Sequence, residues 1–253
     1  MKGLIINEIN QQENALLSTA IDDYSLKNVQ ENTMILHLFQ HEGINMGRDD
    51  TRIENFDQGI AYYHSQNVPV TLRQSGGRSI VSDQGVISVS LTYVATHNDV
   101  YRHFSEFGQF ISSAFRHLGV TIDTGLIEGA YCPGDSDLSI AGKKFSGTAM
   151  KKFKNNVEMD AYIAINGPQL PRTRLVQGFY EAMNFTEFSV LDDKMDTLSA
   201  LSKQEISVEQ ASLWLIESFA ELCDETRYLS VADLDQELLE KSRVFTEKRH
   251  TIL

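Results

Sequence analysis

The chain has 253 residues, 42 % hydrophobic and 23 % charged, enough apolar material for a sizeable core and a composition that excludes disordered and fibrous classes. A formal net charge of −13 opposes binding to nucleic-acid phosphate, which calls for basic surfaces. The opening stretch MKGLIINEINQQENALL is too polar for a secretory signal, and no window approaches the roughly eighteen apolar residues of a membrane span. A cytoplasmic protein with no membrane partner is the expectation. Two cysteines, Cys132 and Cys223, match no metal-binding spacing and read as free thiols in a reducing compartment. The histidines form no HxxxH or HExxH group, so neither a metal nor a cofactor is expected.

In chain order, the spacing predicts a helix over 10–29, where Asn10 and Glu13 stand at capping-box distance and Leu16, Leu17, Ala20, Ile21 and Tyr24 recur at helical intervals. MILHLF at 34–39 reads as a strand, followed by a Gly-rich loop, HEGINMGRDD. Further strands are expected at 68–73 and at 86–93, where VISVSLTY alternates apolar and small polar residues. A helix over 99–118 would turn Val100, Phe104, Phe107, Ile111, Ala114, Phe115 and Leu118 inward. Residues 138–140 and 143–145 suit a hairpin across Ala141-Gly142, and DAYIAIN at 160–166 alternates again. Helices are predicted at 172–183, at 207–224, where Ser207 and Gln210 have capping spacing, and at 232–248. No repeat, low-complexity tract or linker interrupts the chain, so one domain over 1–253 is expected. Strands early and helices around and after them predict an α+β fold rather than regular βαβ alternation.

Cys132 stands in AYCPGD, where Pro-Gly sets a tight turn. Such a thiol is either accessible or a small buried hydrophobe, and spacing alone leaves both open. Cys223 stands in WLIESFAELCDE, on a predicted helix whose Trp214, Leu215, Phe219 and Leu222 make an apolar face, and reads as structural. A nucleophilic cysteine needs a neighbouring base or cation. Lys144 is the nearest in sequence, able to stabilise a thiolate or to polarise a carbonyl. Strand alternation would point Lys143 the opposite way. The double glycine of Arg73-Gln-Ser-Gly-Gly-Arg78 permits close approach of a ligand to backbone, although a plain turn explains it equally, and it matches neither a dinucleotide nor a P-loop motif. Lys143, Lys144, Lys151, Lys152 and Lys154 fall in twelve residues without an acid, either a docking patch for an acidic partner or a solvated turn.

RQSGGRSIVSDQGVISVSL at 73–91 resembles the R-x-x-G-G segment of lipoate-protein ligases and octanoyltransferases, and DLSIAGKKFSGTAMKK at 137–152 resembles their second signature, Asp-Leu followed by Lys-x-Ser/Ala-Gly. The resemblance implies a biotin/lipoate ligase catalytic-domain-like fold, with a mixed, mainly antiparallel sheet core flanked by helices. It also implies that Arg73, Ser75, Gly76 and Gly77 line an acyl pocket with Asp137, Ser146 and Gly147, and that Lys144 contacts the acyl carboxyl or carbonyl. EGAYCPG at 128–134 is similar to a narrower group, the octanoyl amidotransferases, in which the cysteine accepts the acyl group. That likeness implies octanoylated H protein of the glycine cleavage system as donor and lipoyl domains of 2-oxoacid dehydrogenase complexes as acceptors. Lys143, Lys151, Lys152 and Lys154 would then serve docking, with no ATP and no metal. An ATP-dependent ligase independent of Cys132, an octanoyltransferase fed by acyl carrier protein, and a non-catalytic carrier-binding relative remain open alternatives. Arg78 departs from the family, where a small or apolar residue is common, and so do Ser88 and Ser90, where Asn-x-Ser is frequent. Without a heptad or an obvious apolar stripe, a monomer is expected.

Overall fold

The structure, a computed structural model, describes residues 1–11 and 15–253. Its strands are β1 (Lys2–Asn7), β2 (Thr33–Phe39), β3 (Gly43–Met46), β4 (Val70–Leu72), β5 (Ile80–Ser82), β6 (Val86–Val94), β7 (Asp123–Thr124), β8 (Leu138–Ile140), β9 (Lys143–Phe153), β10 (Asn156–Ala164) and β11 (Glu225–Tyr228). The helices are α1 (Ala15–Asn28), α2 (Phe56–Ser65), α3 (Val100–Ala114), α4 (Gln169–Ala182), α5 (Leu198–Ser202), α6 (Val208–Ala220) and α7 (Gln236–His250). Eight strands form one sheet in the order β11-β1-β2-β6-β10-β9-β8-β7. Only β1 pairs in parallel, with β11 and β2; the other pairings in this sheet are antiparallel. β4, β3 and β5 make a small second sheet. The mixed, mainly antiparallel sheet with flanking helices is the architecture that the resemblance implied.

Alternation along the three central strands separates two interiors. Leu36 and Leu38 of β2, Ile87, Val89 and Leu91 of β6, and Met159, Ala161 and Ile163 of β10 share one face and join the largest apolar cluster, with α3 and α6 packed over it. Burying each Leu or Ile contributes about 1.5–3 kcal/mol, which makes this face the main source of stability. The opposite face, covered by α1, carries His37 and Phe39, then Ser88, Ser90 and Thr92, then Glu158, Asp160 and Tyr162. A one-residue slip would exchange the two sets, so the apolar face also locks the register of the polar one.

Local chemistry accounts for the ends of the elements. Asp99 caps α3 by accepting from the Arg102 N–H, and Ser207 caps α6 by accepting from that of Gln210. The β8–β9 hairpin turns on Ala141 and Gly142, both left-handed at φ 50° and 76°, as a type I′ turn requires.

Several expectations need correction. The loop after β2 contains β3, whose four residues are too few to show alternation. β1, α2 and β5 were not anticipated, and β9 continues to Phe153 rather than ending at 145. Within the first predicted helix α1 begins at Ala15, and Glu13 of the supposed capping box lies outside the described residues. Val100 is 42 % exposed, because the first turn of α3 stands outside the arc buried by Phe107, Phe110, Ile111 and Ala114. α6 stops at Ala220, so Cys223 lies in the following turn, half-buried against Gly3, and Leu222 is exposed. Among the described residues no helix is long and apolar enough to cross a membrane.

Candidate active site

The segment after β4 folds back on itself. The Arg73 guanidinium donates to the carbonyls of Asn45 at 2.7 Å, Gly76 at 2.9 Å and Arg78 at 2.7 Å, bracing the whole R-x-x-G-G turn from within. Leu72 is fixed in turn, since its N–H donates to His250 Nε2 at the end of α7, 2.7 Å away. Cys132 lies opposite, in the left-handed region at φ 46°, a conformation that costs a residue with a side chain about 1–3 kcal/mol. Its Sγ accepts from the backbone N–H of Arg78 at 3.2 Å, with Arg73 Nη2 3.7 Å away. Gly77 makes the approach possible: at φ 86° a Cβ there would stand 3.2 Å from Sγ and 3.0 Å from Arg73 Nη2. The double-glycine turn thus presents one cation and one N–H to the sulfur, both suited to stabilising negative charge on it. The Arg78 side chain turns away from the cavity, to Asp50 at 3.3 Å and over the rings of Phe185 and Phe188.

Lys144 is 0 % exposed. Its Nζ donates to the carbonyls of Cys132 at 2.6 Å and Tyr131 at 3.1 Å and pairs with Asp137 at 2.8 Å, which engages all three ammonium donors. Burial raises the Asp137 carboxyl above the usual range, opposed by Lys144 and by the N–H of Gly134, which donates to Oδ2 at 3.0 Å. Lysine and aspartate therefore clamp the two ends of the turn that holds the thiol. The K-x-S-G spacing follows from a bulge. β9 pairs Ser146 with Leu138 but Lys144 with Ser139, leaving Phe145 as an extra residue that packs into the apolar core. The extra residue brings Lys144 onto the same side as Gly147, where a Cβ would stand 3.1 Å from Nζ and 2.8 Å from the Tyr162 ring. Ser146, also buried, lies between them in the chain. The structure therefore aims Arg73 and the Arg78 N–H at the sulfur, while Lys144 holds the sulfur's backbone.

A cavity of about 380 Å³ opens beside the thiol. Cys132, Pro133, Arg73, Gly76, Gly77 and Gly147 line one part of it, and Phe39, Ile80, Val89, Phe104 and Met150 give apolar walls. Asp22, Glu158 and Asp160 also line it and were not anticipated. Burial and the charge of Asp22 push the Asp160 carboxyl up to about 7, against the pull of Ser75, Arg73 and Lys151. Glu158 is held well above the carboxylate range by burial, with Asp160 and Asp22 adding to it. Behind them His37 bridges Asp22 and Glu8, each at 2.8 Å; burial pulls its pKa down, but the two carboxylates outweigh that and raise it to about 9. The sequence signal for this polar floor was the alternation of VEMDAY, which places charges on a strand covered on both faces.

The lysine run does not form one patch. Lys143 is 3.9 Å from Asp196 at the start of β9, and Lys154 follows its far end, about 35 Å away along an extended strand. Lys151 binds Gln74 and lies 3.4 Å from Asp23 beneath α1, whereas Lys152 reaches Asn98 at 3.4 Å. Elsewhere, among the described residues, His97, His103 and Glu106 bring ligand-type atoms within 4.8 Å of one another, a grouping that linear spacing did not suggest. The ring nitrogens of His103 are already engaged, by the Tyr93 hydroxyl and the His97 carbonyl, and Glu106 accepts from Arg102.

Comparison with known proteins places this geometry. Residues 14–220 match the family described as the lipoyl protein ligase A/B catalytic domain. The octanoyl-GcvH:protein N-octanoyltransferase of Anoxybacillus flavithermus is 31 % identical over 212 residues, 79 % of this chain and 76 % of that one. The lipoyl-GcvH:protein N-lipoyltransferase of Listeria monocytogenes is 29 % identical over 221 residues, 83 % and 80 % of the two chains. Among solved structures, a lipoate-protein ligase A bound with ATP has a TM-score of 0.77 at 16 % identity, covering 98 % of this chain and 95 % of that one. The bi-partite lipoate protein ligase of Thermoplasma acidophilum gives 0.74 at 16 % identity, covering 98 % and 92 %. With the matched segment spanning both signatures and the Cys132 turn between them, the chain belongs to the lipoyl protein ligase A/B catalytic domain family.

Proposed function

We propose that the protein is an acyl amidotransferase that takes an octanoyl group from an octanoyl-lysine of the glycine cleavage H protein onto Cys132. It then delivers the group to a lysine of lipoyl domains in 2-oxoacid dehydrogenase complexes. The observation that carries this reading is the Cys132 thiol at the cavity, receiving the Arg78 N–H at 3.2 Å with the Arg73 guanidinium beside it. Relatives named for acyl transfer from GcvH support it over the ATP-dependent ligases of the same family.

In the first step Sγ attacks the amide carbonyl carbon. An S–C bond forms, the C–N bond breaks, and the thiol proton leaves on the departing lysine amine. In the second step the acceptor's lysine amine attacks the thioester. A C–N bond forms, the C–S bond breaks, and the amine's proton returns to sulfur. One amide replaces another, so the overall exchange needs no outside activation, and the covalent intermediate divides one difficult step into two. Arg73 and the Arg78 N–H stabilise charge on sulfur. Lys144 and Asp137 hold its turn, Gly76 and Gly77 shape the adjoining wall, and Gly147 leaves room for the Lys144 ammonium. Lys143, Lys152 and Lys154 offer positive charge to acidic carrier domains, while Lys151 braces Gln74.

The test is transfer from octanoylated H protein to a lipoyl domain without ATP. Transfer by the wild type and none by Cys132→Ala, at an unchanged melting temperature, is the expected result. Modification that demands ATP and free octanoate and survives in Cys132→Ala would reassign the protein to the ligases.

A further inference from the structure

The turn that carries Arg73 has little of its own to fix it. Gly76 and Gly77 give its backbone wide conformational freedom, and β4, which leads into it, has three residues at the edge of the small sheet. Toward β3 the Arg73 N–H donates to the Met46 carbonyl at 2.9 Å. The Leu72 N–H faces the open edge, where the end of α7 takes the place of a strand. His250 Nε2 accepts from Leu72 at 2.7 Å, Arg249 Nη2 donates to the Arg73 carbonyl at 3.4 Å, and the Thr246 hydroxyl accepts from Gln74 Nε2 at 3.4 Å. Residues 246, 249 and 250 share one face of the helix, so three successive residues entering the turn are tied to a single surface.

The His250 bond is the shortest of the three and has a defined sense. Nδ1 lies 2.9 Å from the Thr246 carbonyl while Nε2 meets an N–H, so the proton sits on Nδ1 and Nε2 is the acceptor. Burial lowers the His250 pKa, opposed by the Thr246 carbonyl and reinforced by the charge of Arg249, in keeping with a neutral ring. What depends on the bond is the reach of Arg73. Its Nη2 stands 3.7 Å from the Cys132 sulfur, which leaves little slack, and a small outward drift of the turn would take the cation off the thiol. α7 lies beyond residues 14–220, the segment that matches the family.

We propose that His250 is a positioning residue for acyl transfer: by accepting the Leu72 N–H it sets the R-x-x-G-G turn, and with it the Arg73 guanidinium, against the Cys132 sulfur. The inference rests on acyl transfer through Cys132 and adds a residue that touches neither the sulfur nor the acyl group.

The experiment follows loading of Cys132 from octanoylated H protein by intact-protein mass in His250→Ala, His250→Asn and His250→Gln, at a temperature where each is folded by circular dichroism. The glutamine amide reaches the position of Nε2 and can accept the Leu72 N–H, whereas the shorter asparagine amide cannot. The saturating rate should fall about tenfold in the alanine and asparagine variants, as for one lost hydrogen bond, and stay within about threefold of wild type in the glutamine variant. The half-saturating donor concentration should change by less than about twofold in all three, because the helix acts on the thiol rather than on the donor. Alkylation of Cys132 by iodoacetamide, separated from Cys223 by peptide mass, should slow in the same two variants. Should the alanine variant not fold, asparagine against glutamine makes the same comparison. Wild-type rates in the asparagine variant, or a glutamine variant as slow as asparagine, overturn the inference and leave acyl transfer standing. A wild type that takes no octanoyl overturns the Cys132 chemistry and the inference that rests on it.

Discussion

The two faces of the central sheet are made by the same three strands, yet they do opposite work. Toward α3 and α6 the strands present Leu36, Leu38, Val89, Leu91, Met159 and Ile163, all buried in one apolar cluster. Toward α1 they present His37, Ser88, Ser90, Glu158 and Asp160, a polar surface on which Ser90 Oγ and Glu158 Oε2 have no hydrogen-bond partner among the described residues. Hydrophobic burial on the first face stabilises the fold, and the second face lines the cavity with polar groups. The apolar counterpart fixes the register that sets these polar groups on one face.

Breaking the clamp beside the polar face should have the largest effect. Lys144→Ala leaves Asp137 buried without its cation and frees the Cys132 carbonyl, with an expected cost of about 3–5 kcal/mol in urea unfolding and loss of transfer. On the apolar face, Leu38→Ala should cost about 2–5 kcal/mol by lost burial and cavity formation while leaving the pH dependence of stability unchanged. His37 sharpens the contrast. Its folded pKa is raised from 6.5 to about 9, so protonation favours the fold. That contribution is complete below pH 6.5 and disappears as pH rises toward 9, a loss of about 3 kcal/mol. Denaturation followed from pH 6 to 10 should show the decline, and His37→Gln should flatten it. The smallest effect is expected at Ser90→Ala, which removes a buried hydroxyl with no partner among the described residues and should change stability by less than about 1 kcal/mol. A cost above that would mean Ser90 has a partner that matters.

Much of the fold was legible because alternation and capping are local signals: β6, the β8–β9 hairpin and the cap of α6 stand where their residues predicted. β3 was hidden in GINM, and β1 showed only as a short apolar run, since each gains its meaning from a neighbouring strand. In the site, Gly77 and Cys132 were readable because an unusual backbone conformation leaves a mark in the motif. The bulge at Phe145 left none, so simple alternation could not show Lys144 over Gly147. Nor could Arg73 be read as the cation facing the thiol, or Asp22, Glu158 and Asp160 as companions, because α1 and β10 bring them together only on packing.

The most direct measurement is intact-protein mass spectrometry after mixing the protein with octanoylated H protein in the absence of ATP. A hydroxylamine-labile octanoyl adduct on the wild type, missing in Cys132→Ala, is the result that transfer through Cys132 predicts. An unmodified wild-type protein that nonetheless passes octanoyl to a lipoyl domain would contradict it.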